Sequence, residues 1–293
     1  MDLTLQPVAE SRLVDGSLVT TPALAPTGTE PLLESLLCRA RVQNTSYRAW
    51  CVACQAPRDL IIDLEWGGSR EGARWRPNWR ERLECPVCRL NNRMRLSLQL
   101  LRQAAFEQRP GTARVYCMEQ VTPFFQSAGN LDDLELIGSE YLGPGISSGT
   151  TNPGGITHQD ACHTSFADAS FDIIVSNDVF EHIPEPDVGF RESHRILKSH
   201  GTLIATFPWN PALPHCRSRA KLKPDSGAIE HLEKPLYHGN PLSSKGSLVF
   251  TDFSSRVLHT IQEAGFSDVR VYWYRSEVFG HLGGYQSVFM ASA

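Results

Sequence analysis

Four of the eight cysteines fall in two pairs that have the spacing of metal-binding turns. The pairs are Cys51-x-x-Cys54 and Cys85-x-x-Cys88, and a turn of this kind presents two thiolates to one ion. Four thiolates complete the tetrahedron that Zn²⁺ prefers and leave no position open to water. The sequence therefore predicts a structural zinc site at these four residues, with two disulfides or four reduced thiols as the alternatives.

The stretch between and after the two cysteine pairs is expected to form a small zinc-ribbon-like module. The gap of 30 residues between the pairs exceeds the roughly 15–20 residues of a compact finger, which predicts a small strand pair in the loop. Residues 90–106 carry apolar side chains at helical spacing and predict a helix. Arg89, Arg93 and Arg95 open this helix and are interpreted as a solvated helix start, with nucleic-acid contact as the alternative.

From residue 113 onward, short apolar runs alternate with helical patterns, which is typical of a parallel sheet. Strands are predicted at 113–118, 135–139, 171–176 and 201–207, and a helix is predicted at 187–198. Another helix is expected to begin at Thr251 or Asp252 and to stop at Gly265. Two last strands, at 269–274 and 286–290, are expected to form an antiparallel edge.

Residues 155–209 contain a series of motifs in a characteristic order. Asp160-Ala161 follows a strand, F-x-D-x-S-F-D leads into a central strand, and D-V-F-E-H-I follows it. A helix with E-x-x-R-I-L-K, a glycine turn and an apolar strand ending in proline complete the series. This order resembles the class I S-adenosylmethionine-dependent methyltransferases. The resemblance implies an α/β fold with a Rossmann-like, doubly wound, mostly parallel sheet, and S-adenosyl-L-methionine as the cofactor.

The resemblance also implies roles for residues at the carboxyl ends of the strands, where ligands of open α/β sheets bind. Glu140 ends the second strand and would accept hydrogen bonds from the ribose hydroxyls. Asp160 would meet the adenine amino group, and Ala161 would pack beside the ring. Asn177 and Asp178 would line the methionine end of the cofactor.

The first loop departs from the family pattern. The family normally carries Gly-x-Gly there, which lets the backbone approach the cofactor closely. Residues 115–125 contain no glycine, and Glu119 stands where the first glycine is expected. We expect a modified loop that still admits the cofactor, with Glu119 facing its sulfonium or amino group; a weakened pocket is the alternative.

The acceptor side is expected in residues 210–248, an insert between the fourth strand and the last helix. Such an insert would lie over the carboxyl edge of the sheet as a lid, and long loops in compact domains are often functional. The candidate bases are His182, directly after the central strand, and His231 and His238 on the insert.

The chain is thus divided into a flexible arm (1–30), a zinc-binding module (31–92) and a methyltransferase domain (93–293). The predicted function is methyl transfer to a small-molecule acceptor, of the kind found in specialised biosynthesis. One alternative is an RNA methyltransferase that recognises its substrate through the zinc module. The other is a binding protein without catalytic activity on the same scaffold.

Composition narrows the choice of partners. A formal net charge of −4 gives no overall attraction to nucleic acid, and acidic residues interleave the arginines between the cysteine pairs. No run approaches the roughly 18 apolar residues of a membrane span. The first residues lack the apolar core of a secretory signal, so a cytoplasmic protein is expected.

Overall fold

The computed structural model describes residues 4–14, 17–21, 32–39, 45–72, 74–107 and 111–293. The helices over these residues are α1 (Leu32–Arg39), α2 (Asn92–Glu107), α3 (Pro123–Ala128), α4 (Pro186–Ile196) and α5 (Val257–Glu263), with a 3-10 turn at Phe180–His182. The strands are β1 (Ala9–Val14), β2 (Ser17–Thr21), β3 (Thr45–Cys51), β4 (Ala56–Ile62), β5 (Ser69–Glu71), β6 (Arg74–Arg76), β7 (Ala113–Cys117), β8 (Leu134–Gly138), β9 (Phe171–Asn177), β10 (Leu197–Thr206), β11 (Arg217–Ser218), β12 (Ala220–Leu222), β13 (Ile229–His231), β14 (Tyr237–Asn240), β15 (Ser243–Leu248), β16 (Thr251–Asp252), β17 (Asp268–Ser276) and β18 (His281–Ser292). None of the helices in this part of the chain has the length and apolar character needed to cross a membrane.

One eight-stranded sheet organises the molecule, in the order β2-β1-β17-β18-β10-β9-β7-β8. Strands β8, β7, β9 and β10 are parallel neighbours, and β18 and β17 continue the sheet in antiparallel pairing. Helix α3 connects β7 to β8, and α4 connects β9 to β10, as parallel strands require a crossover. The fold is therefore Rossmann-like α/β with an antiparallel C-terminal edge, which confirms the predicted class.

Strict alternation along the central strands supplies two separate cores. In β7, Val115 and Cys117 face the core that contains residues of α2 and α3, while Tyr116 faces the core that contains residues of α4 and α5. All three side chains are almost completely buried. Because successive side chains of a strand point to opposite faces, a sheet covered by helices on both sides needs apolar residues at every position. This is why the strands read as continuous apolar runs.

Helix α3 begins where the sequence provides two start signals. The hydroxyl of Thr122 accepts a hydrogen bond from the Phe125 backbone N–H at 3.2 Å, and Pro123 occupies the first turn. On the neighbouring strand, a side chain at Gly138 would approach the Phe125 ring to 2.4 Å and the carbonyl of Glu119 to 2.7 Å. The absence of a β-carbon at Gly138 therefore lets the loop after β7 lie directly against the end of β8.

The prediction of a flexible arm at residues 1–30 is wrong for the part that the structure describes. Strands β1 and β2 form a hairpin that extends the main sheet, with Ala9 opposite Trp273. The indole N–H of Trp273 donates to the hydroxyl of Ser11 at 2.7 Å. The partner strand lies near the other end of the chain, so local composition did not reveal the pairing. Residues 1–3, 15–16 and 22–30 of the predicted arm lie outside the described residues.

The last helix starts later than predicted. Thr251 and Asp252 form β16, which pairs with β11, and α5 begins at Val257. The carboxylate of Asp252 accepts hydrogen bonds from Arg217 at 2.5 Å and from Arg219 at 2.9 Å. These contacts with the insert replace the helix cap that the local sequence indicated.

The cysteine-containing segment is built from the β3–β4 and β5–β6 hairpins and has its own small core, centred on Leu60, Ile62 and Leu83. The second hairpin is the predicted strand pair between the cysteine pairs. The segment packs against the β17–β18 turn, where Gly280 has a φ of +65° and a β-carbon would meet Leu60 at 2.5 Å. Helix α2 begins at Asn92, whose amide donates to the carbonyl of Leu282 at 3.1 Å. A domain boundary between residues 92 and 93 stays a prediction.

Candidate functional site

The carboxyl ends of the parallel strands gather polar side chains at one edge of the sheet. Glu119 follows β7, Glu140 follows β8, and Asn177 and Asp178 lie at the end of β9. Thr206 ends β10, and its hydroxyl lies 3.1 Å from Asp178 Oδ1. In open α/β sheets this edge is where ligands bind. The structure therefore brings together four of the six residues that the sequence predicted for the cofactor.

Glu140 holds the first loop in place. Its Oε1 atom accepts hydrogen bonds from the backbone N–H groups of Gln120, at 2.7 Å, and Val121, at 3.0 Å. Gln120 in turn accepts from the Thr157 N–H at 2.9 Å and donates to the Gly155 carbonyl at 3.0 Å. The glycine-free loop is thus fixed from both sides, and among the described residues no hydrogen bond is made to Glu140 Oε2. That oxygen remains available to a ligand.

Glu119 turns its side chain toward β9. It accepts hydrogen bonds from the Thr122 hydroxyl and, at 2.7 Å, from the Asn177 amide. The residue is only 6% exposed. Burial raises the pKa of Glu119, while the hydrogen bonds from Thr122 and Asn177 and the nearby Arg93 oppose that rise. Glu119 therefore replaces the expected glycine with a fixed acidic side chain.

Asp178 is held by two arginines that precede the first parallel strand in the sequence. Arg80, in the loop between the cysteine pairs, makes a bidentate contact at 2.7 and 2.5 Å, and Arg93 of α2 lies 3.2 Å away. Glu81 accepts from both arginines, at 2.5 and 3.1 Å. Burial alone would raise the pKa of Asp178, but Arg80 and Arg93 hold it well below its usual value. Asp178 is thus part of an internal ion-pair network at the edge of the sheet.

The prediction of a solvated helix start is wrong for Arg93 and Arg95, which are 8% and 0% exposed. Only Arg89 is exposed, with 63% of its side chain accessible. The Nη1 atom of Arg93 is buried and has no hydrogen-bond partner among the described residues. A buried cationic donor of this kind, beside the carboxyl edge, suits an anionic ligand group. The sequence did contain one signal for a buried arginine, namely the acidic residues Asp178, in D-V-F-E-H-I, and Glu81, which could serve as its partners.

Asp160 and Ala161 lie on a tight turn after a short bridge to β8, in which His158 pairs with Glu140. The Asp160 carboxylate accepts from the Cys162 backbone N–H at 2.9 Å, which closes the turn. Ala161 packs against the core on the α4 and α5 side of the sheet. The sequence predicted a strand before this turn, but the structure has only isolated bridges there, between Glu140 and His158 and between Thr151 and Thr157.

The insert at 210–248 contains the five short strands β11 to β15 and meets the 3-10 turn after β9. Strands β12 and β13 form one hairpin, β14 and β15 form another, and β11 pairs with β16. The backbone N–H of Phe250 donates to the Glu181 carbonyl at 2.7 Å, and His182 Nδ1 lies 2.8 Å from the Leu248 carbonyl. Two of the three candidate bases come together here, because the rings of His182 and His238 are 5.0 Å apart. His231 is exposed on β13, opposite Ala220, and lies outside this group.

The four predicted zinc ligands form one cluster. Sγ of Cys51 lies 3.6 Å from Sγ of Cys88, and Sγ of Cys54 lies 3.7 Å from Sγ of Cys85. All four sulfurs lie within 4.8 Å of one another. A tetrahedral zinc site with bonds of about 2.3 Å places its sulfurs about 3.8 Å apart, whereas a disulfide bond is only about 2.05 Å long. The cysteines are free thiols arranged at the spacing of a metal site.

A buried arginine lies behind the cysteine cluster. Arg95 donates to the carbonyls of Phe279, at 2.5 Å, and Gly280, at 3.0 Å. Burial lowers the pKa of Arg95 to about 10, and the cysteine sulfurs of the cluster oppose that shift. Its positive charge would compensate part of the negative charge of a four-thiolate metal site.

Residues 105–205 match the family model described as a methyltransferase domain. This segment is about a third of the chain and contains Glu119, Glu140, Asp160 and the Asn177-Asp178 pair. A comparison with curated proteins finds no match.

Solved structures with a similar architecture have low sequence identity to this chain. An S-adenosylmethionine-dependent methyltransferase from Mesorhizobium loti is 14% identical, with 67% of this chain and 98% of that chain covered and a TM-score of 0.40. The cyclase SpnF is 15% identical, with 68% and 80% covered and a TM-score of 0.41. The 1,6-didemethyltoxoflavin-N1-methyltransferase from Burkholderia thailandensis, with bound S-adenosylhomocysteine, is 11% identical, with 67% and 77% covered and a TM-score of 0.41. Similarity at this level concerns architecture and says nothing about activity.

Proposed function

We propose that the protein is an S-adenosylmethionine-dependent methyltransferase that acts on a small-molecule acceptor. The observation that carries the proposal is Glu140, a carboxylate at the end of the second parallel strand within the segment that matches the methyltransferase model. Its Oε1 atom fixes the first loop, and its Oε2 atom remains to accept a hydrogen bond from a ribose hydroxyl. Charge-assisted hydrogen bonds of this kind are among the stronger polar contacts in proteins.

The other polar groups of the edge suit the remaining parts of the cofactor. Asp160 and Ala161 would hold the adenine, and Asn177 and Glu119 would lie toward the methionine end. The unpartnered Nη1 of Arg93 supports an interaction with the methionine carboxylate, because a buried guanidinium donor needs an acceptor. When bound, the cofactor supplies an electrophilic methyl group. The chain's own residues would bind it, orient it and exclude water from the crevice.

A small acceptor is supported by the way in which the insert meets the edge of the sheet. The Leu248 carbonyl of the insert contacts the His182 side chain, and Phe250, just after the insert, donates to the Glu181 carbonyl. These contacts hold the insert beside the strand ends, where it would restrict access to the crevice. The RNA alternative loses support, because two of the arginines between the cysteine pairs, which could have formed a basic surface for RNA, pair with acidic residues of the chain. Arg80 pairs with Asp178, and Arg82, with 3% of its side chain exposed, pairs with Asp63.

We also propose that the four cysteines bind one structural Zn²⁺. Support comes from the sulfur separations of 3.6 and 3.7 Å and from the buried positive charge of Arg95 nearby. With four thiolate ligands the ion would have no open position, so it would stabilise the fold and take no part in the reaction. The zinc-binding module would then also hold Arg80 at the edge of the sheet, where it pairs with Asp178.

The proposal is tested by measuring cofactor binding directly. Calorimetric titration with S-adenosylhomocysteine should give one site per chain, and S-adenosylmethionine should compete for it, while adenosine alone should bind much more weakly. The absence of heat with either ligand at about 1 mM would refute the proposal. At that concentration, a ligand with a dissociation constant of about 1 mM already occupies about half of the sites.

A binding protein without transferase activity is the second candidate, favoured by the acidic side chain of Glu119 in place of glycine. The two are separated by incubating the protein with methyl-labelled cofactor and an extract of its source organism, followed by fractionation. Label in the small-molecule fraction supports the first proposal, and ribonuclease-sensitive label in the polymer fraction supports an RNA acceptor. Bound cofactor without any transferred label supports the binding protein.

A further inference from the structure

The short turn after β9 and the hairpin of β14 and β15 bring a carboxylate and two imidazoles together. Glu181 Oε1 lies 3.8 Å from His182 Nε2 and 3.5 Å from His238 Nδ1. The three ligand atoms all lie within 4.8 Å of one another. We propose that Glu181, His182 and His238 form a second metal site, which binds a divalent first-row transition-metal ion.

The state of Glu181 is the first argument for this site. Its side chain is 1% exposed, and neither carboxylate oxygen has a hydrogen-bond partner among the described residues. A buried carboxylate without hydrogen bonds is costly, and proteins normally pair such a group or use it to coordinate a metal. The groups nearest to its Oε1 atom are two imidazole nitrogens, which are the commonest metal ligands in proteins.

The orientation of His182 is the second argument. Its Nδ1 atom lies 2.8 Å from the backbone carbonyl of Leu248, so Nδ1 carries the proton and donates it to that oxygen. In the neutral ring, Nε2 then has a free lone pair, and this is the nitrogen that faces Glu181. A histidine fixed through its other nitrogen by a carbonyl is the usual arrangement around protein-bound metals.

The spacing fits a metal ion. For bonds of about 2.1 Å, ligand atoms of a tetrahedral ion lie about 3.4 Å apart. The two separations given above exceed this value by roughly 0.4 Å or less, so a small movement of the hairpin would complete the coordination. Two imidazoles and one carboxylate favour Zn²⁺, Fe²⁺, Mn²⁺, Co²⁺ or Ni²⁺, and three protein ligands leave positions open to water or to an oxygen of a substrate.

The position of the site indicates what its open side would bind. Glu181 follows Asn177 by four residues at the carboxyl edge of the sheet, and His238 belongs to the insert, with 32% of its side chain exposed. An acceptor hydroxyl or carboxylate on the metal would have its pKa lowered and its orientation fixed. This role rests on the proposed methyl transfer, but metal binding itself does not.

The test is a calorimetric titration with Ni²⁺ of untagged protein that holds one equivalent of Zn²⁺ per chain, enough for the four cysteines alone, together with thermal denaturation. The wild type should bind one additional equivalent and melt at a higher temperature with Ni²⁺. His238→Asn should lose at least tenfold in affinity, since each ligand contributes strongly, and Glu181→Gln should lose a similar factor. His231→Asn, an exposed histidine on the same insert, is the matched control and should bind as the wild type does.

Two results would overturn the proposal. One is the absence of any additional equivalent in the wild type, which would mean that Glu181 is paired with a protonated histidine. The other is equal Ni²⁺ affinity in the wild type and in His238→Asn, which would mean binding elsewhere on the surface. Since His238 lies on an exposed hairpin, this variant should fold even if Glu181→Gln does not. Cofactor binding is measured on the same samples, so that loss of the metal site and failure of the methyltransferase proposal are told apart.

Discussion

Replacing Glu140 by glutamine separates the two tasks that the structure gives to this residue. The amide oxygen of glutamine can still accept from the Gln120 and Val121 N–H groups, which Glu140 Oε1 holds at 2.7 and 3.0 Å. The amide nitrogen, however, takes the place of Oε2 and can only donate. The variant should therefore keep the first loop but lose the acceptor that we assign to the ribose.

The expected magnitudes follow from these contacts. A hydrogen bond to a charged group is worth about 1.5–3 kcal/mol, so loss of the ribose contact should weaken cofactor binding by about 2–3 kcal/mol, or roughly 30- to 150-fold. The free energy of unfolding should change by only about 0.5–1 kcal/mol, because both backbone donors keep an acceptor. Glu140→Ala should lower the free energy of unfolding by more, about 2 kcal/mol, because the Gln120 and Val121 N–H groups then lose their acceptor in the protein.

The assay is calorimetry with S-adenosylhomocysteine, combined with urea denaturation of the same preparations. Glu135→Gln is the matched control, because Glu135 lies on β8, the strand that Glu140 follows, and its ion pair with Arg114 is largely exposed. This control should leave both affinity and stability within about 0.5 kcal/mol of the wild type. Unchanged affinity in Glu140→Gln would refute the assignment of the ribose contact, even if the wild type binds the cofactor well.

Three further predictions concern the groups around the edge of the sheet. Cys85→Ser should remove one equivalent of zinc and lower the melting temperature by several degrees, whereas Cys216→Ser should keep the metal; metal analysis of the purified variants checks this. Asp178→Asn should lower the free energy of unfolding by about 3 kcal/mol in urea, because Arg80 loses its buried partner, and this cost should shrink as pH falls below about 3.8. Because burial raises the pKa of Glu119 above 4.5, the folded state binds a proton more tightly than the unfolded chain does, so stability should fall as pH rises through the folded pKa. Glu119→Gln should abolish that slope in urea denaturation at pH values of about 4–8, and an identical slope in the variant would contradict this reading.

The central strands were predictable because each is encoded locally. Alternation in 113–118 places Val115 and Tyr116 on opposite faces, and both faces are covered, so the sequence reads as a buried parallel strand. Local patterns do not show how separate strands are arranged in a sheet, and the order of the motifs in residues 155–209 indicated that arrangement. The two C-terminal strands were also correctly paired, because they are consecutive in the chain.

What could not be predicted depends on partners that are distant in the sequence. The hairpin of β1 and β2 is polar on one side and short, and only its pairing with β17 makes it part of the sheet. Arg93 reads as part of a solvated helix start until Asp178, which is distant in the sequence, is brought to it. The sequence could not distinguish His231 from His238 as a candidate base. The structure does, because His238 lies next to Glu181 and His231 does not.

The pairing of β1 with β17 has a consequence for synthesis on the ribosome. Glu10 accepts a hydrogen bond from Arg270, a partner made 260 residues later. Closing a loop of that length costs roughly 5 kcal/mol of chain entropy. Before β17 exists, no contact compensates this cost, so the hairpin has no partner that would hold it in its native position. The β17–β18 turn, on which the cysteine module packs, also emerges long after that module. The sheet edge can therefore assemble only after β17 has been made, and until then the nascent chain must keep the unpaired edge of the β1–β2 hairpin from associating with other chains.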